Sequence, residues 1–218
     1  MTEDFSFKNF KNSFSTKFKN NKKFKIGTYA LSSILILIAG CFAYYQFIYV
    51  PENNKSKNAY WKGLNYAVND TVPDRAIKEL KKVSTKYDGK DGGEIAQFVL
   101  ARQYMRKGDY KKAISSLEEV KLTDTYLSRM KIGLIGDCHS ELKKYAKASE
   151  FYQEAADIEN GNEFISPMYL FKAAQCAEKL KNYDKATELY KKIKVTYSSY
   201  EKENIDKYIA KASNTKVK

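Results

Sequence analysis

The chain of 218 residues holds one histidine, three cysteines, three prolines and ten glycines. Each shortage excludes a class of protein. A single His forbids a multi-histidine metal site, and three Cys cannot form the two Cys-x-x-Cys pairs of a structural zinc site. No metal or other cofactor is therefore expected. Any Cys/His catalytic pair would have to use His139. On a helix its neighbour Cys138 points about 100° away, so the two cannot act locally as nucleophile and base. Gly133, Gly136, Gly161 and Gly92-Gly93 form no phosphate-binding loop and read as helix-packing or loop positions. No enzymatic activity is expected. So little Pro and Gly also excludes collagen-like and linker-like chains. What is abundant is apolar and charged material: 43% hydrophobic, 30% charged, 18 Tyr and 12 Phe, which is enough for a core. The formal net charge of +13 admits nucleic acid, an anionic membrane surface or a topological signal.

The placement of charge decides among these. No charged residue occurs between Lys25 and Glu52. A bilayer-spanning helix needs about 20 mostly apolar residues, and the run from Ile26 to Pro51 supplies them, with Leu31 to Ala43 as its apolar centre. Tyr29 lies near one end and Tyr44, Tyr45 and Tyr49 near the other, where amphipathic rings favour the membrane–water interface. A transmembrane helix is predicted over 26–50. A buried core helix would need neighbours on all sides, and the basic arm before it offers none. A cleaved signal peptide is a poorer reading, because 25 residues precede the apolar run. The stretch Ile38-Ala39-Gly40-Cys41 resembles a lipobox with Cys41 as the lipidated residue, yet the residues that follow stay apolar. The retained anchor is the default, with Cys41 a small apolar filler.

Residues 1–25 carry Lys8, Lys11, Lys17, Lys19, Lys22, Lys23 and Lys25 against Glu3 and Asp4. The Lys/Arg bias places this arm in the cytoplasm and all that follows Pro51 outside it, which in a bacterium is the periplasm. Lys55, Lys57 and Lys62 on the far flank make the asymmetry moderate. Phe5, Phe7, Phe10, Phe14, Phe18 and Phe24 are interleaved with Lys, Asn and Ser. Two readings stand: a segment lying on anionic headgroups, or a disordered tail whose lysines only set topology.

Beyond residue 51 the texture changes to helix formers with Tyr at intervals. Tyr110-Lys111-Lys112-Ala113 with Leu117 and Val120 recurs as Tyr145-Ala146-Lys147-Ala148 with Tyr152 and Ala155, and as Tyr183-Asp184-Lys185-Ala186 with Tyr190 and Ile193. A weaker copy is Pro73-Asp74-Arg75-Ala76 with Leu80 and Val83. The small Ala, the bulky residue four later and the apolar residue three beyond share one helical face. A helix of about 14 residues precedes each clear copy: Glu94–Lys107, Arg129–Leu142 and Pro167–Leu180. Gly108-Asp109, Lys143-Lys144 and Lys181-Asn182 make the turns, the first a helix C-cap followed by an N-cap Asp. Tyr200 to Ala212 reads as one more amphipathic helix, the cap that a stacked array needs, with a frayed tail from Ser213 to Lys218.

These strings resemble the tetratricopeptide repeat family from about Ala59 to Tyr197. The unit Leu100-Ala101, Tyr104, Gly108, Tyr110, Ala113, Leu117 carries the likeness best. Gln97 stands where the family has its signature Trp, the closing Pro is absent, and Glu159 to Glu163 is an insertion. Together with the span and the C-terminal helix read above, the resemblance gives an all-α fold: a single N-terminal transmembrane helix followed by a helical-hairpin solenoid of about four hairpins with a C-terminal capping helix. The predicted domains are 1–25, the arm; 26–50, the span; 51–200, the repeats; and 201–218, the cap and tail. An unrelated antiparallel bundle is the alternative. His139 falls where such repeats bury a first-helix aromatic, so it is expected to pack. Cys138 and Cys176 fall at equivalent places in successive repeats, about 8–10 Å apart if the helices stack, too far for a disulfide.

Stacked hairpins present a concave surface lined by the first helix of each repeat. The family's groove positions correspond here to Ile95, Phe98, Arg102, Met105 and Arg106, then to Met130, Gly133, Asp137, Ser140 and Glu141, then to Met168, Phe171, Gln175 and Glu178. Exposed Met and Phe suit adaptable capture of polypeptide segments; the alternative is that some complete the core or lie under the C-terminal helix. Residues 51–218 mix 32 Lys/Arg with 24 Asp/Glu and show no one-sided basic stripe, so no nucleic-acid partner is expected.

The order of arm, span and repeats, the exit Tyr49-Val50-Pro51 and the approach Asn162-Glu163-Phe164-Ile165-Ser166-Pro167 resemble the YfgM-like proteins, ancillary subunits of the bacterial Sec translocon, most of all their Bacteroidota-type version. That resemblance implies a scaffold in the inner membrane at the periplasmic exit of the translocon. Its partners would be Sec translocon subunits, a periplasmic prolyl isomerase-like chaperone, newly exported polypeptides and membrane lipid. A structural assembly protein of another envelope complex, such as outer-membrane biogenesis, gliding or secretion machinery, is the competing expectation.

Overall fold

A computed structural model describes residues 7–121, 124–158, 162–197, 200 and 202–215. Glu3, Asp4 and Phe5 of the arm, Glu159-Asn160-Gly161 of the insertion and Lys216–Lys218 of the tail lie outside the described residues. Among the described residues every regular element is helical. Two units divide the chain, Met1–Asn54 and Lys55–Lys218.

In the first unit, α1 (Phe7–Asn20) leads to α2 (Lys22–Tyr44) and a π-helical turn at Tyr45–Tyr49. Asn21 separates the helices with an extended backbone, φ −121° and ψ 106°, and its side chain accepts from the Phe24 amide to cap α2. α2 buries none of its residues; Ile36 is 71% exposed and Leu37 68%. Its Ser and Thr hydroxyls are satisfied within the helix: Thr28 donates to the Phe24 carbonyl, Ser32 to Thr28 and Ser33 to Tyr29. Among the described residues it supplies the one segment long and apolar enough to cross a membrane. Cys41 is exposed on it.

The second unit holds the second half of α3 (Val50–Ala59), then α4 (Trp61–Asn69), α5 (Asp74–Lys86), α6 (Asp91–Arg106), α7 (Tyr110–Glu119), α8 (Thr125–Glu141), α9 (Tyr145–Asp157), α10 (Ser166–Lys179), α11 (Tyr183–Thr196) and α12 (Lys202–Thr215). Helices α4 to α11 pair as four hairpins, and each element from α4 to α12 packs on its neighbour in sequence, so the array is a solenoid with α12 as its last layer. The repeated Ala residues explain the close pairing: Ala76, Ala113, Ala148 and Ala186 are all fully buried. Leu80, Leu117, Tyr152 and Tyr190, four residues on, are 0–3% exposed. Each buried Leu of this set contributes about 2 kcal/mol of apolar burial. The core is divided along the array. Ala76, Leu80, Ala96 and Leu100 form its first part, Phe98, Ala101, Leu117, Val120 and Ile135 the second, and residues of α9 to α12 the third.

The turns inside the three clear hairpins share one geometry. Gly108, Lys143 and Lys181 have φ of 78°, 58° and 59°. The following amides, of Asp109, Lys144 and Asn182, donate to the carbonyls of Tyr104, His139 and Ala177, which closes each first helix with a Schellman motif. Asp109 and Asn182 then cap the second helix by accepting from the amides of Lys112 and Lys185, whereas Lys144 supplies no side-chain cap. The middle turn is thus the least favourable, with a left-handed Lys costing about 1 kcal/mol and a missing cap about 1 kcal/mol. Replacing Lys143-Lys144 with Gly-Asp, as in the first hairpin, is expected to stabilise the chain by about 2 kcal/mol. Urea unfolding followed by helical circular dichroism checks this; an unchanged midpoint would contradict the turn geometry.

Candidate functional site

The residues expected to line a groove fall into two groups. Phe98 is 7% exposed and packs with Leu117 and Ile135, with Met130 against it, so both belong to the core between the second and third hairpins. Arg106 spends its guanidinium on the carbonyls of Ala67 at 2.8 Å and Asp70 at 3.2 Å and on the Gln103 side chain, tying the second hairpin to the first. Phe171 packs edge-on against Tyr208 of α12, ring centroids 4.7 Å apart, and tilted against Tyr190 at 5.4 Å. The C-terminal helix therefore covers it. Ile95 and Met105 are half-buried, and Arg102 is exposed. Glu141 is exposed and accepts from the Tyr110 hydroxyl at 3.4 Å.

Of the remaining residues, Gly133, Asp137, Ser140, Gln175 and Glu178 lie around one region between the α8/α9 hairpin and α10. Asp137 accepts from the Tyr152 hydroxyl at 2.7 Å and from Lys172 Nζ at 2.8 Å. The Lys172 ammonium lies 5.4 Å from the Tyr152 ring and 5.9 Å from the Tyr169 ring. Those rings stack on each other, centroids 6.3 Å apart. Two α8 glycines make room for them: a Cβ at Gly133 would overlap the Tyr169 ring, and one at Gly136 would come within 2.8 Å of Tyr152. Beside this cluster opens a cavity of about 400 Å³ lined by Ser140, Tyr145, Tyr152, Lys172, Gln175, Cys176, Glu178 and Lys179. Gln175 is exposed at its wall, and Met168 is 37% exposed on the same helix two turns earlier. One Glu178 carboxylate oxygen accepts from Lys211 of α12 at 3.3 Å; the other is buried without a hydrogen-bond partner.

Sequence reasoning missed Tyr145, Tyr152, Lys172 and Lys179. The first two lie on a second helix, outside the positions that line the repeat face by pattern. Lys172 and Gln175, three apart on α10, share a face, and that spacing was a readable signal.

Burial, with Asp137 nearby, pushes the Tyr152 and Tyr169 phenols up, Tyr169 to about 12, so both remain neutral. Burial also raises the Cys138 thiol to about 12 and the Cys176 thiol above its ordinary range, so neither is a ready thiolate. Both are free and buried. Among the described residues no group of His, Cys, Asp and Glu is placed to hold a metal ion.

His139 is 8% exposed and stacks on Phe151 at 5.2 Å, with Nδ1 buried and unpartnered. Burial, and then Lys144 and Lys147, lower its pKa below the usual 6.5. The unfolded chain therefore takes up this proton more readily, and stability falls as pH drops below about 6.5. Replacing His139 with Phe is expected to flatten that part of the stability profile. Thermal unfolding between pH 7.5 and pH 5 (chosen to bracket the ordinary imidazole range) checks it; an equal slope in parent and variant would assign the dependence elsewhere.

Known proteins agree with this architecture. The profile of the tetratricopeptide repeat-like domain matches residues 22–131, half of the chain, and two tetratricopeptide repeat profiles match 132–162 and 169–200. Lipopolysaccharide assembly protein B of Escherichia coli strain K12 is 32% identical over 88 residues, covering 40% of this chain and 22% of that protein. The aligned segment thus spans under a quarter of that relative. The crystal structure of MamA protein superposes with a TM-score of 0.58 at 20% identity, over 75% of this chain and 84% of that one. TPR-like repeats of a Podosopora anserina putative kinesin light chain give 0.59 at 15% identity, over 74% and 87%. At these identities the likeness to solved structures is one of fold. With hairpins, buried alanines, Schellman turns and profile all in register, the chain belongs to the tetratricopeptide repeat-like domain family.

Proposed function

We propose that this protein is a single-pass membrane-anchored adaptor that captures a polypeptide segment on its repeat array. The observation that carries the reading is the α8–α10 site: a cavity of about 400 Å³ with amide, carboxylate, ammonium and phenol groups on its wall, and an exposed Met on the same helix. Its mixed lining fits an extended or helical segment that offers an apolar side chain beside polar backbone. The anchor reading is supported by α2, which buries none of its residues and whose exposed apolar run would be costly in water and is favourable in lipid. The lysine-rich arm supports a cytoplasmic N-terminus and a periplasmic repeat array in a bacterial inner membrane.

Within that frame the protein works at the periplasmic side of the Sec translocon, holding a prolyl isomerase-like chaperone and newly exported chains near the exit. Tethering converts each capture into an encounter at high effective concentration. A second reading is assembly of another envelope complex, favoured by the similarity to lipopolysaccharide assembly protein B. Purification in mild detergent separates the two. Recovery with translocon subunits supports the first, and stoichiometric recovery with another envelope complex in their absence supports the second. A photo-crosslinking residue at Met168 or Gln175 tests the site. Crosslinks to the same partner from both positions, and none from exposed Lys111 on α7, are expected; the reverse pattern removes the site assignment.

A further inference from the structure

We propose that α1 is an interfacial helix that lies in the anionic headgroup region of the leaflet from which α2 enters the bilayer. The inference rests on the membrane-anchor reading of α2 and adds a lipid-binding surface to it. Phe10, Phe14 and Phe18 follow at intervals of four and form a ladder with ring centroids 6.1 Å apart at each step. Phe10 is 53% exposed and Phe14 39%, so the ladder is an apolar surface rather than part of a core. By helical periodicity Lys17 and Lys11 border this stripe on its two sides, and Lys19 lies on the opposite face with Asn12 and Thr16. Lysines at the border can keep their ammonium groups among headgroups while their stems lie along the apolar boundary.

The direction of the stripe is given by its contacts with α2. Phe14 meets Phe24 edge-on at 5.5 Å, and Phe18 meets Tyr29 at 5.6 Å. In one straight helix, eleven residues would separate that second pair by about 16 Å along the axis. The break at Asn21 therefore folds α1 over so that its aromatic stripe faces the side on which α2 begins its apolar run. Where α2 enters hydrocarbon, the same stripe meets the acyl boundary. Lys25 lies 5.5 Å from the Phe18 ring at this corner, which adds a cation at headgroup level. From Phe5 to Pro51 the chain holds no acidic residue, so the surface is complementary to anionic lipid.

The test uses the full chain reconstituted in vesicles, with Trp61→Phe to remove the native tryptophan. Phe14→Trp reports on α1 and Leu35→Trp on α2, against lipids brominated high on the acyl chain. Equimolar phosphatidylglycerol and phosphatidylcholine is compared with phosphatidylcholine alone. The expected result is a blue-shifted, quenched Phe14→Trp in anionic vesicles, with quenching reduced in the neutral ones and by Lys11→Gln, Lys17→Gln and Lys19→Gln together. Hydrogen exchange of the α1 amides in the unmodified chain should slow in the same anionic vesicles. An unquenched, unshifted Phe14→Trp beside a shielded Leu35→Trp overturns the interfacial helix and leaves the anchor standing. Equal quenching in both lipids, unaffected by the Lys→Gln changes, overturns the anionic preference. A solvent-exposed Leu35→Trp overturns the anchor reading itself, and the inference with it.

Discussion

Replacing Gly92 with Ala is expected to destabilise the repeat array by about 3 kcal/mol or more. Gly92 stands in the first turn of α6, where an amide has no partner inside its own helix. Lys90, at the cap position, provides no side-chain acceptor. The hydroxyl of Ser56 on α3 accepts from the Gly92 amide at 3.1 Å instead, and Ser56 is fully buried. That arrangement brings the α3 backbone against Gly92 so closely that a Cβ would overlap the Ser56 carbonyl. A carbonyl held in a helix cannot swing aside as a side-chain tip can. The added methyl therefore pushes α3 away from α6 and strands a buried donor. Ser56→Ala removes only the hydrogen bond and is expected to cost about 1 kcal/mol. Gly40→Ala in α2, with nothing within 4 Å of the added atom, serves as the neutral control. Denaturant unfolding of the full chain in detergent distinguishes the three variants, and a Gly92→Ala midpoint equal to that of Gly40→Ala would sink the argument.

Gly133→Ala tests the packing under the candidate site, and there two effects oppose each other. Helix propensity alone predicts a gain of about 1 kcal/mol for Ala over Gly inside a helix. Overpacking predicts a loss of about 1–3 kcal/mol. The loss is expected to win, because the Tyr169 ring that fills the Gly133 notch is itself 6% exposed and stacked on Tyr152, so moving it disturbs a packed pair. A net loss of about 2 kcal/mol is expected. The displaced ring would also disturb Lys172 and Asp137, so crosslinking from Gln175 should fall in parallel. A double-mutant cycle with Tyr169→Leu gives the sharper measurement. If the notch exists to seat the ring, Gly133→Ala becomes neutral or stabilising once the ring is gone, with a coupling of about 2 kcal/mol. Additive effects would mean that the glycine and the ring are independent.

Both variants probe contacts that are invisible in one dimension, whereas much of the fold is not. The all-helical hairpin array and its capping helix were readable because their signals are local. Alanine, the bulky residue four later and the apolar residue three beyond occupy one helical face whatever the neighbours do, and all four alanines are buried accordingly. The Gly108-Asp109 turn was readable because only glycine takes a left-handed φ at little cost. The turns at Lys143 and Lys181 were placed by the repeat register alone, and their left-handed φ was not readable, since position in the repeat rather than residue preference imposes it there.

The residues expected on the inner face of the repeats have different fates in the structure. Asp137, Gln175 and Glu178 lie where the repeat pattern puts them, around one cavity or one step from it. Phe98 and Met130 have the same pattern positions yet enter the core, and Phe171 lies under α12. Whether an apolar side chain on the inner face is free or covered depends on the next helix to arrive.

By itself the sequence determined the helix periodicity, the hairpin register and the apolar run before residue 51, because each is a property of residue type or of spacing within one or two turns. Only the tertiary structure decided that Ser56 caps a helix 36 residues away, that Asp137 meets Lys172 across 35 residues, and which inner-face side chains stay exposed. Those contacts follow from how closely successive hairpins stack. That distance is set jointly by glycines, alanines and rings on different helices, so no local stretch of sequence specifies it.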